Sequence, residues 1–326
     1  MMTQAMTNQT APSEFVLPME VQVSLGFVAF TITVLNILVC LLVYFNRNLR
    51  TFTNGYVVSL AISDILVGAA FLPGYIAMPG QSMNGYLIAI ILNVNAANIS
   101  AVTYERWLAI INPLRYDYFM TKYFLKILIT AWTLPIIISL IPLAWETQTQ
   151  TTVHKVYLGS SIAFCILIPY AFTIYAYCRI FKEISRQVKN IKGQYVVHHS
   201  RSDEISLSRS DSNYNHPDSP THKDKIIAER RRLSAEGKAA LVFAIIAFIF
   251  AAAWLPVTYM TVCVIIGDFS LMPPQLSIIS IYTLALNSVS NPFVYAFFKV
   301  DLKQAGRKHL KKIKQMCSRT HIPSSV

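Results

Sequence analysis

Charged residues are scarce in this sequence: Asp, Glu, Lys and Arg make up 13% of its 326 residues. A soluble domain carries about 25%. Hydrophobic residues, by contrast, make up 54% of the chain. A chain with so few charges cannot cover its apolar surface in water, so we predict that it lies within a lipid bilayer.

The sequence also lacks the motifs of membrane enzymes. It has no HExxH motif, and neither paired catalytic carboxylates nor a Ser/His arrangement falls within one leaflet. The net charge of +12 would suit a nucleic-acid-binding protein. The Lys and Arg residues, however, are concentrated in connections on one side of the apolar segments and in the tail, not on a folded face. We therefore expect no enzyme and no nucleic acid partner.

Cysteines are also scarce in this sequence, and a secretory signal is missing. Residues 1–20 contain no Lys or Arg and no short apolar core before a cleavage site of small residues, so no signal peptide is predicted. No cysteine lies in a connection predicted to face outward, so no outer disulfide is expected. Four cysteines are expected to be buried as small apolar residues: Cys40, Cys165, Cys178 and Cys263.

Seven apolar segments follow one another along the chain. Each has about 20 to 26 residues, enough for an α-helix to cross a hydrocarbon core of about 30 Å. We predict an all-α membrane protein, a seven-transmembrane helix bundle within residues 21–298. The segments run over residues 21–45, 54–77, 83–107, 123–145, 157–181, 238–265 and 274–297.

The distribution of basic residues predicts the orientation of the bundle. The connections on one side contain a single basic residue, Lys155, whereas those on the other side and the tail are rich in Lys and Arg. Basic connections stay in the cytoplasm. Residues 1–20 are therefore expected outside the cell and the C-terminus inside, in a multi-pass plasma membrane protein. Asn8, in an Asn-Gln-Thr sequence, is then a predicted glycosylation site.

The longest connection, residues 182–237, is predicted to be cytoplasmic and partly disordered. Residues 198–220 are polar, Ser-rich and poor in aromatic residues, a composition typical of disorder. The basic ends of the connection are expected to extend the fifth and sixth helices. Near its end, the sequence Arg-Arg-Leu-Ser resembles a basophilic kinase site, so Ser234 is a candidate for phosphorylation.

Residues 299–326 are predicted to form a cytoplasmic helix and tail. Apolar residues share one helical face, with Lys299, Lys303 and Lys308 on the opposite face. This pattern is typical of an amphipathic helix on the inner surface of the lipid bilayer. Cys317 is a candidate for palmitoylation, and the final Ser-Ser-Val resembles a ligand of a PDZ-domain protein.

An arginine at the inner end of the third segment needs an acidic partner. Arg106 follows Glu105, and Glu236 opens the sixth segment on the same side of the membrane. An Arg106–Glu236 ion pair would hold the third and sixth helices together and close a cytoplasmic crevice. Its rupture would release the sixth helix outward. The alternative is that both side chains only reach toward the interface.

Polar residues collect at mid-membrane depth. Pro292 removes a backbone hydrogen bond from the last helix and frees carbonyl groups that polar neighbours must satisfy. One buried carboxylate, Asp64, among neutral oxygens suits a sodium ion or a proton, and no other cofactor is expected. Structural hydrogen bonding between helices is the alternative. The predicted cluster comprises Asn36, Asp64, Asn95, Trp254, Asn287, Ser288 and Asn291.

A tryptophan beside a proline marks the sixth helix. Pro256 is expected to kink this helix, and the indole of Trp254 beside the kink would act as a lever under a ligand. Simple packing of the indole is the alternative. With the arginine pair and the last helix, the predicted activation switch comprises Glu105, Arg106, Tyr177, Glu236, Phe250, Trp254, Pro256, Asn291, Pro292 and Tyr295.

Helical spacing points a further set of residues toward a common outer cavity. The set is mostly apolar with several neutral hydrogen-bonding groups, as in small-molecule sites. Because it contains no acid or base, a small neutral or lipophilic ligand fits better than a cationic amine. The predicted ligand-binding residues are Ile88, Leu92, Asn93, Ser161, Trp254, Val257, Thr258, Thr261, Ile281 and Tyr282.

Six motifs, in register, resemble those of the rhodopsin-like (class A) family of G protein-coupled receptors. This resemblance implies a receptor that binds a small extracellular ligand and activates heterotrimeric G proteins, with arrestin as a further partner. The motifs are Asn36 in the first segment, LAISD at 60–64, ERW at 105–107, Trp132 in the fourth segment, AWLP at 253–256 and NPFVY at 291–295.

Within this family the scaffold resembles adenosine receptors, but the ligand residues do not match. Thr261 stands where those receptors have Asn, Ala285 where they have His, and Ile88 where amine receptors have Asp. An adenosine-like or other small neutral ligand is favoured, and an amine-type receptor with an atypical pocket is the alternative. A transporter or channel is a further alternative, although no second half of the chain resembles the first.

Overall fold

A computed structural model of the chain describes residues 17–78, 82–145, 152–207, 222–273, 275–299, 301–308 and 311. These ranges are mostly α-helical, and they contain no strand. The predicted all-α architecture is thereby confirmed. Asn8, Cys317 and the C-terminal Ser-Ser-Val lie outside the described residues.

In the described part of the chain, seven long helices and one short helix form the bundle. Helix α1 is Met19–Phe45, α2 is Phe52–Ala77, α3 is Ser82–Ile111 and α4 is Pro113–Leu140. Helix α5 starts with Thr152–Ser161 and ends with Ile168–Leu207. Helix α6 is His222–Ile266, α7 is Gln275–Phe298 and α8 covers residues 301–308. We call the end of the bundle with Arg106 the inner end and the opposite end the outer end.

The helices α1 to α6 contain the six segments that are long and apolar enough to cross a membrane. Helix α7 has 24 residues, but Asn287, Ser288 and Asn291 make it more polar. Large apolar side chains point away from the bundle: Phe27 is 72% exposed and Phe248 is 73% exposed. Such a surface is stable only in contact with lipid, so the chain is a multi-pass membrane protein.

Helix α3 lies at the centre of the bundle. It packs against α2, α4 and α5, while α1 contacts α2 and α7, and α6 contacts α5 and α7. Two groups of buried apolar side chains form the core. The larger group extends from the inner end to the outer cavity and includes Tyr56, Phe250 and Tyr295, and the smaller group joins α1, α2, α3 and α7.

Helix α2 contains a π-turn, Val67–Phe71, one turn beyond Asp64. At this turn α2 touches α1: a Cβ atom on Gly68 would lie 2.5 Å from Thr33 Oγ1 and 2.7 Å from the carbonyl oxygen of Ala29. Only glycine permits this close approach. The π-turn, with the close contact at Gly68, fixes the outer half of α2 against α1 beside the buried carboxylate.

Several predicted boundaries differ from the structure, and α4 begins at Pro113 instead of residue 123. Helix α5 begins at Thr152 instead of residue 157, which brings part of the predicted outer connection into the bundle. Helices α5 and α6 also continue through Leu207 and from His222, so part of the segment predicted to be disordered has a helical backbone. The physical reason is that Lys, Arg, Glu and Gln have high helix propensity, and an existing helix is extended more easily than a new one is started.

Candidate functional site: an arginine latch, a polar cluster and an outer cavity

At the inner end, Arg106 binds mainly to its neighbour on α3. Arg106 Nε donates to Glu105 Oε2 at 2.6 Å, and Nη2 donates to Glu105 Oε1 at 2.5 Å. Glu105 is fully buried and Arg106 is 8% exposed. Such charge-assisted, two-point contacts are strong and directional. This pairing lies within one helix, so it does not depend on the position of α6.

The predicted contact between Arg106 and Glu236 is present, but it is weaker than expected. Arg106 Nη1 lies 3.4 Å from Glu236 Oε2, and the Glu236 side chain is 36% exposed. The ion pair joins α3 to α6 at the inner end, as the sequence predicted. It is a partial contact, because the guanidinium is already held by Glu105.

Two residues of this network were missed by the sequence prediction. Thr53 on α2 donates to Glu105 Oε1 at 2.8 Å and accepts from Arg106 Nη2, and the Tyr116 hydroxyl donates to Glu105 Oε1 at 2.6 Å. Burying a carboxylate requires such donors. Hydroxyl residues at the inner ends of the helices could have indicated hydrogen-bond donors for Glu105. The sequence did not show which of these residues face α3.

The polar cluster is assembled at mid-bundle as predicted, with one exception. Asp64 and Asn291 are buried, and Asn291 Nδ2 donates to Asp64 Oδ2 at 2.8 Å. Ser63 Oγ donates to Asn95 Oδ1. Trp254, which is predicted to belong to the cluster, lines the outer cavity, and its indole N–H makes no hydrogen bond to the described residues of the cluster.

Pro292 explains a hydrogen bond of the buried Asn36 side chain. Pro292 has no N–H, so the carbonyl of Ser288, four residues earlier, loses its helical partner. Asn36 Nδ2 on α1 donates to this carbonyl at 3.2 Å. The predicted polar neighbour of the proline-freed backbone is therefore Asn36, and the contact also holds α1 against α7.

Several buried oxygens of the cluster fit a hard cation. Within the described part of the chain, Asn36 Oδ1, Asp64 Oδ1, Asn287 Oδ1 and Ser288 Oγ have no hydrogen-bond partner. Unpaired buried oxygens are costly, and a carboxylate with neutral oxygens is the donor set that hard cations prefer. These residues would hold a sodium ion and balance its charge with Asp64.

On α6, Trp254 and Phe250 form a tilted aromatic pair close to Pro256. The ring centroids of Phe250 and Trp254 are 5.3 Å apart, and Tyr170 of α5 lies 6.1 Å from Phe250. Pro256 lies inside α6, and Thr283 Oγ1 on α7 donates to the carbonyl of Ala253 at 3.1 Å. Thr283 was missed by the sequence prediction, although it joins α6 to α7.

A cavity of about 410 Å³ opens in the outer half between α3, α4, α5 and α6. Seven predicted ligand-binding residues line it: Ile88, Leu92, Asn93, Ser161, Trp254, Val257 and Thr261. Ile281 and Tyr282 do not, because α7 turns them toward α1: Ile281 packs in the smaller core, and the Tyr282 hydroxyl bonds Ser24 Oγ. Thr258 is not among the described lining residues either.

Four polar residues of the cavity were not predicted: Tyr86, Ser139, His154 and Tyr157. Asn93 Nδ2 donates to Ser139 Oγ at 3.0 Å, and the Trp145 indole N–H donates to His154 Nδ1 at 3.0 Å. The early start of α5 is the reason His154 was missed. No described lining residue of the cavity is acidic, but His154 is a base, so the expectation of a cavity without acid or base is wrong at this residue.

The predicted amphipathic pattern is wrong at Lys299, which lies just beyond the end of α7. It was expected on the exposed face of the last helix, but its side chain is only 7% exposed. Burial lowers its pKa from 10.5 to about 8, while the nearby Asp301 carboxylate opposes the shift. Leu302 and Ala305 of α8 are buried as predicted for an apolar face.

The helix bundle and its motifs define a membrane receptor, not an enzyme. The sequence model of the 7 transmembrane receptor (rhodopsin family) matches residues 35–295, which is most of the chain. The chain belongs to this family, in agreement with the resemblance of its motifs. A transporter or channel is thereby set aside.

Among similar proteins are receptors named for two kinds of ligand. The chain is 31% identical to octopamine receptor beta-2R of Chilo suppressalis, over 84% of this chain and 75% of that protein. It is 27% identical to octopamine receptor beta-1R of Drosophila melanogaster, over 89% of this chain and 61% of that protein. It is 28% identical to adenosine receptor A2a of Homo sapiens, over 84% of this chain and 68% of that protein.

Proposed function

We propose that this protein is a G protein-coupled receptor of the plasma membrane that binds a small neutral ligand in the outer cavity. The observation that carries this proposal is the chemistry of that cavity. A buried ammonium ion needs a carboxylate partner, and the described lining residues offer none. Asn93, Ser139 and Tyr157 instead supply neutral hydrogen-bonding groups, which suit an adenosine-like or other small neutral molecule.

An amine-type receptor with an atypical pocket is the second candidate. It is favoured by the names of the octopamine receptors among the similar proteins. Ile88 distinguishes the two candidates. It lines the cavity at the position where amine receptors have an Asp that could pair with an amine. An amine ligand would then have to be held by neutral acceptors alone.

The experiment measures thermal stabilisation of the purified receptor by adenosine, octopamine and noradrenaline. A ligand that binds only the folded state raises the unfolding temperature, and the rise continues with the logarithm of the ligand concentration above its Kd. We expect stabilisation by a neutral compound and none by either amine. Ile88→Asp, which adds the carboxylate, should introduce amine binding, and Ile88→Asn is the uncharged control. Stabilisation of the unmodified receptor by octopamine would favour the amine candidate instead.

Signalling would follow from displacement of α6 at the inner end. A ligand that binds this state more tightly shifts the equilibrium toward it, and the crevice beside Arg106 would then admit a heterotrimeric G protein.

Arrestin and a PDZ-domain protein are proposed as further partners. Ser234, which is exposed on α6, is proposed as a phosphorylation site at which the phosphate adds negative charge near Glu236.

We also propose a sodium ion as a regulator of this equilibrium, bound by Asp64 and the neighbouring neutral oxygens. An ion in the cluster would favour the inactive state, and its release would permit the polar residues to approach one another. The unpaired oxygens of Asp64, Asn287 and Ser288 support this proposal.

A further inference from the structure

Lys299 is a buried lysine at the point where α7 ends and α8 begins. Its side chain is 7% exposed, and lysine is rarely so buried without a specific set of partners. Lys299 makes no hydrogen bond to the described residues of the arginine latch, although the charges of Arg106 and Glu105 are close enough to act on its ammonium. Its contacts therefore call for a separate explanation.

Three groups on three helices surround the ammonium. Lys299 Nζ donates to Asn54 Oδ1 on α2, lies 4.0 Å from Asp301 Oδ2 on α8, and sits 5.6 Å from the centroid of the Phe243 ring on α6. A cation at this distance over an aromatic face is attracted by the ring electrons, and the attraction is larger when the cation is shielded from water.

Two of these groups, Asn54 and Asp301, are held in place by other hydrogen bonds. Asn54 Nδ2 donates to the carbonyl of Leu49 at 2.8 Å and to Asp301 Oδ2 at 3.3 Å, so Asn54 and Asp301 are themselves held in place. Phe243 is different, because it belongs to α6, the helix that also carries Glu236. Its ring is 3% exposed and must leave the ammonium if the inner end of α6 moves outward.

We propose that Lys299 is a second latch on α6, in which its ammonium, positioned by Asn54 and Asp301, holds the Phe243 ring and opposes outward movement of the helix. The proposal rests on the proposed function, in which α6 moves during signalling. The two latches act at different places on α6: Glu236 contacts α3, and Phe243, about two turns further along, contacts the α7–α8 junction. Lys299 is thus a positioning residue for the switch.

The sharpest test replaces Phe243 with mono-, di- and trifluorophenylalanine. Fluorine withdraws electrons from the ring face and weakens cation binding with little change in shape, so misfolding is not expected. The readout is the distance between two spin labels, one at Leu125→Cys on α4 and one at Lys238→Cys on α6. The receptor is measured in nanodiscs without ligand, and Cys178 and Cys317 are changed to Ser so that they are not labelled. We expect the population with α6 displaced to rise stepwise with fluorination, reaching about threefold for the trifluoro analogue.

Matched controls separate the latch from packing and from charge. The same analogues at Phe248, which is 73% exposed on α6, should leave the distance distribution unchanged. Lys299→Met should reproduce the trifluoro effect and abolish any further response to fluorination at Phe243. Lys303→Met, which removes the same charge from α8, should have no effect.

A flat response to fluorination at Phe243, or an equal response at Phe248, would overturn the second latch. The distance readout needs neither ligand nor G protein, so it is independent of the proposed function. If the fluorinated receptors show displaced α6 but activate no G protein, the latch holds and the coupling proposal fails. If the unmodified receptor responds to a ligand while the fluorine series is flat, the latch fails and the receptor proposal holds.

Discussion

Glu236→Gln tests the latch between α3 and α6 with the smallest chemical change. Gln keeps the shape of the side chain and removes its charge. Arg106 retains its two contacts with Glu105, because these lie within α3. Only the contact with α6 is weakened, so the substitution measures the stabilisation that the interhelical ion pair gives to the closed state.

The geometry limits the size of this effect. The distance between Arg106 Nη1 and Glu236 Oε2 is 3.4 Å, and the Glu236 side chain is 36% exposed. Ion pairs that are accessible to solvent contribute about 1 kcal/mol or less, which corresponds to a factor of about five in an equilibrium constant. We therefore expect ligand-independent activity to rise about two- to fivefold, and not by orders of magnitude.

The assay is nucleotide exchange on purified Gs, Gi and Gq, each reconstituted separately with the receptor in nanodiscs. Glu229→Gln is the matched control, because Glu229 is exposed two turns earlier on the same helix. Surface expression and thermal stability should not change in either variant. The effect should also become smaller as ionic strength rises, since exposed ion pairs are screened by salt.

Two results would contradict this reasoning. Unchanged basal exchange in Glu236→Gln, with normal coupling on ligand addition, would mean that the ion pair does not hold α6. An increase above about 30-fold would require more than 2 kcal/mol, more than an exposed pair at this distance supplies. In that case the buried network of Glu105 and Thr53 would have to depend on Glu236 as well.

Three further predictions follow from the inner end and the polar cluster. Arg106→Ala should abolish nucleotide exchange while the receptor still reaches the cell surface; exchange at the unmodified rate would exclude a role in coupling. Asp64→Asn should remove the effect of sodium on the α6 distance distribution, whereas Asp117→Asn should preserve it, and an unmodified receptor insensitive to sodium would exclude the ion. Because burial lowers the Lys299 pKa from 10.5 to about 8, the unfolded chain binds the proton more tightly, so stability should rise by up to about 3 kcal/mol between pH 8 and 10.5. Thermal unfolding across this range should show that rise, and Lys299→Met should lack it; equal slopes in both would refute the assignment.

The sequence predicted the helices well because lipid leaves few alternatives. Backbone groups in a bilayer must be satisfied within the chain, so an apolar segment of the right length is a helix. The same reasoning placed Asp64 and Asn291 together, because a buried polar group needs a polar partner. Pro292 also required a donor for the carbonyl that it frees, and Asn36 supplies this donor.

The rotation and the ends of the helices were less predictable. Ile281 and Tyr282 have the correct spacing and depth for the outer cavity, but α7 turns them toward α1. This rotation is set by packing between helices, which a single sequence does not encode in its periodicity. His154 was missed because α5 begins at Thr152, before the apolar run that marked the segment.

Lys299 shows a further limit of sequence patterns. Its position opposite the apolar residues of α8 predicted an exposed side chain, yet Asn54, Asp301 and Phe243 come from separate parts of the chain to enclose it. Burial of a charge depends on partners distant in sequence. Periodicity along one helix therefore gives the wrong answer wherever a tertiary network surrounds a charged group.

The outer cavity has no direct contact with α7 among its described lining residues. Its described lining residues come from α3, α4, α5 and α6, and none belongs to α7. A bound molecule would therefore influence Asn291 and Tyr295 only indirectly, through Trp254 and the Thr283–Ala253 hydrogen bond that links α6 to α7. Substitutions in α7 would therefore change the response of the occupied receptor through the equilibrium between its two states, and they would change the apparent affinity for the ligand only as far as that equilibrium shifts.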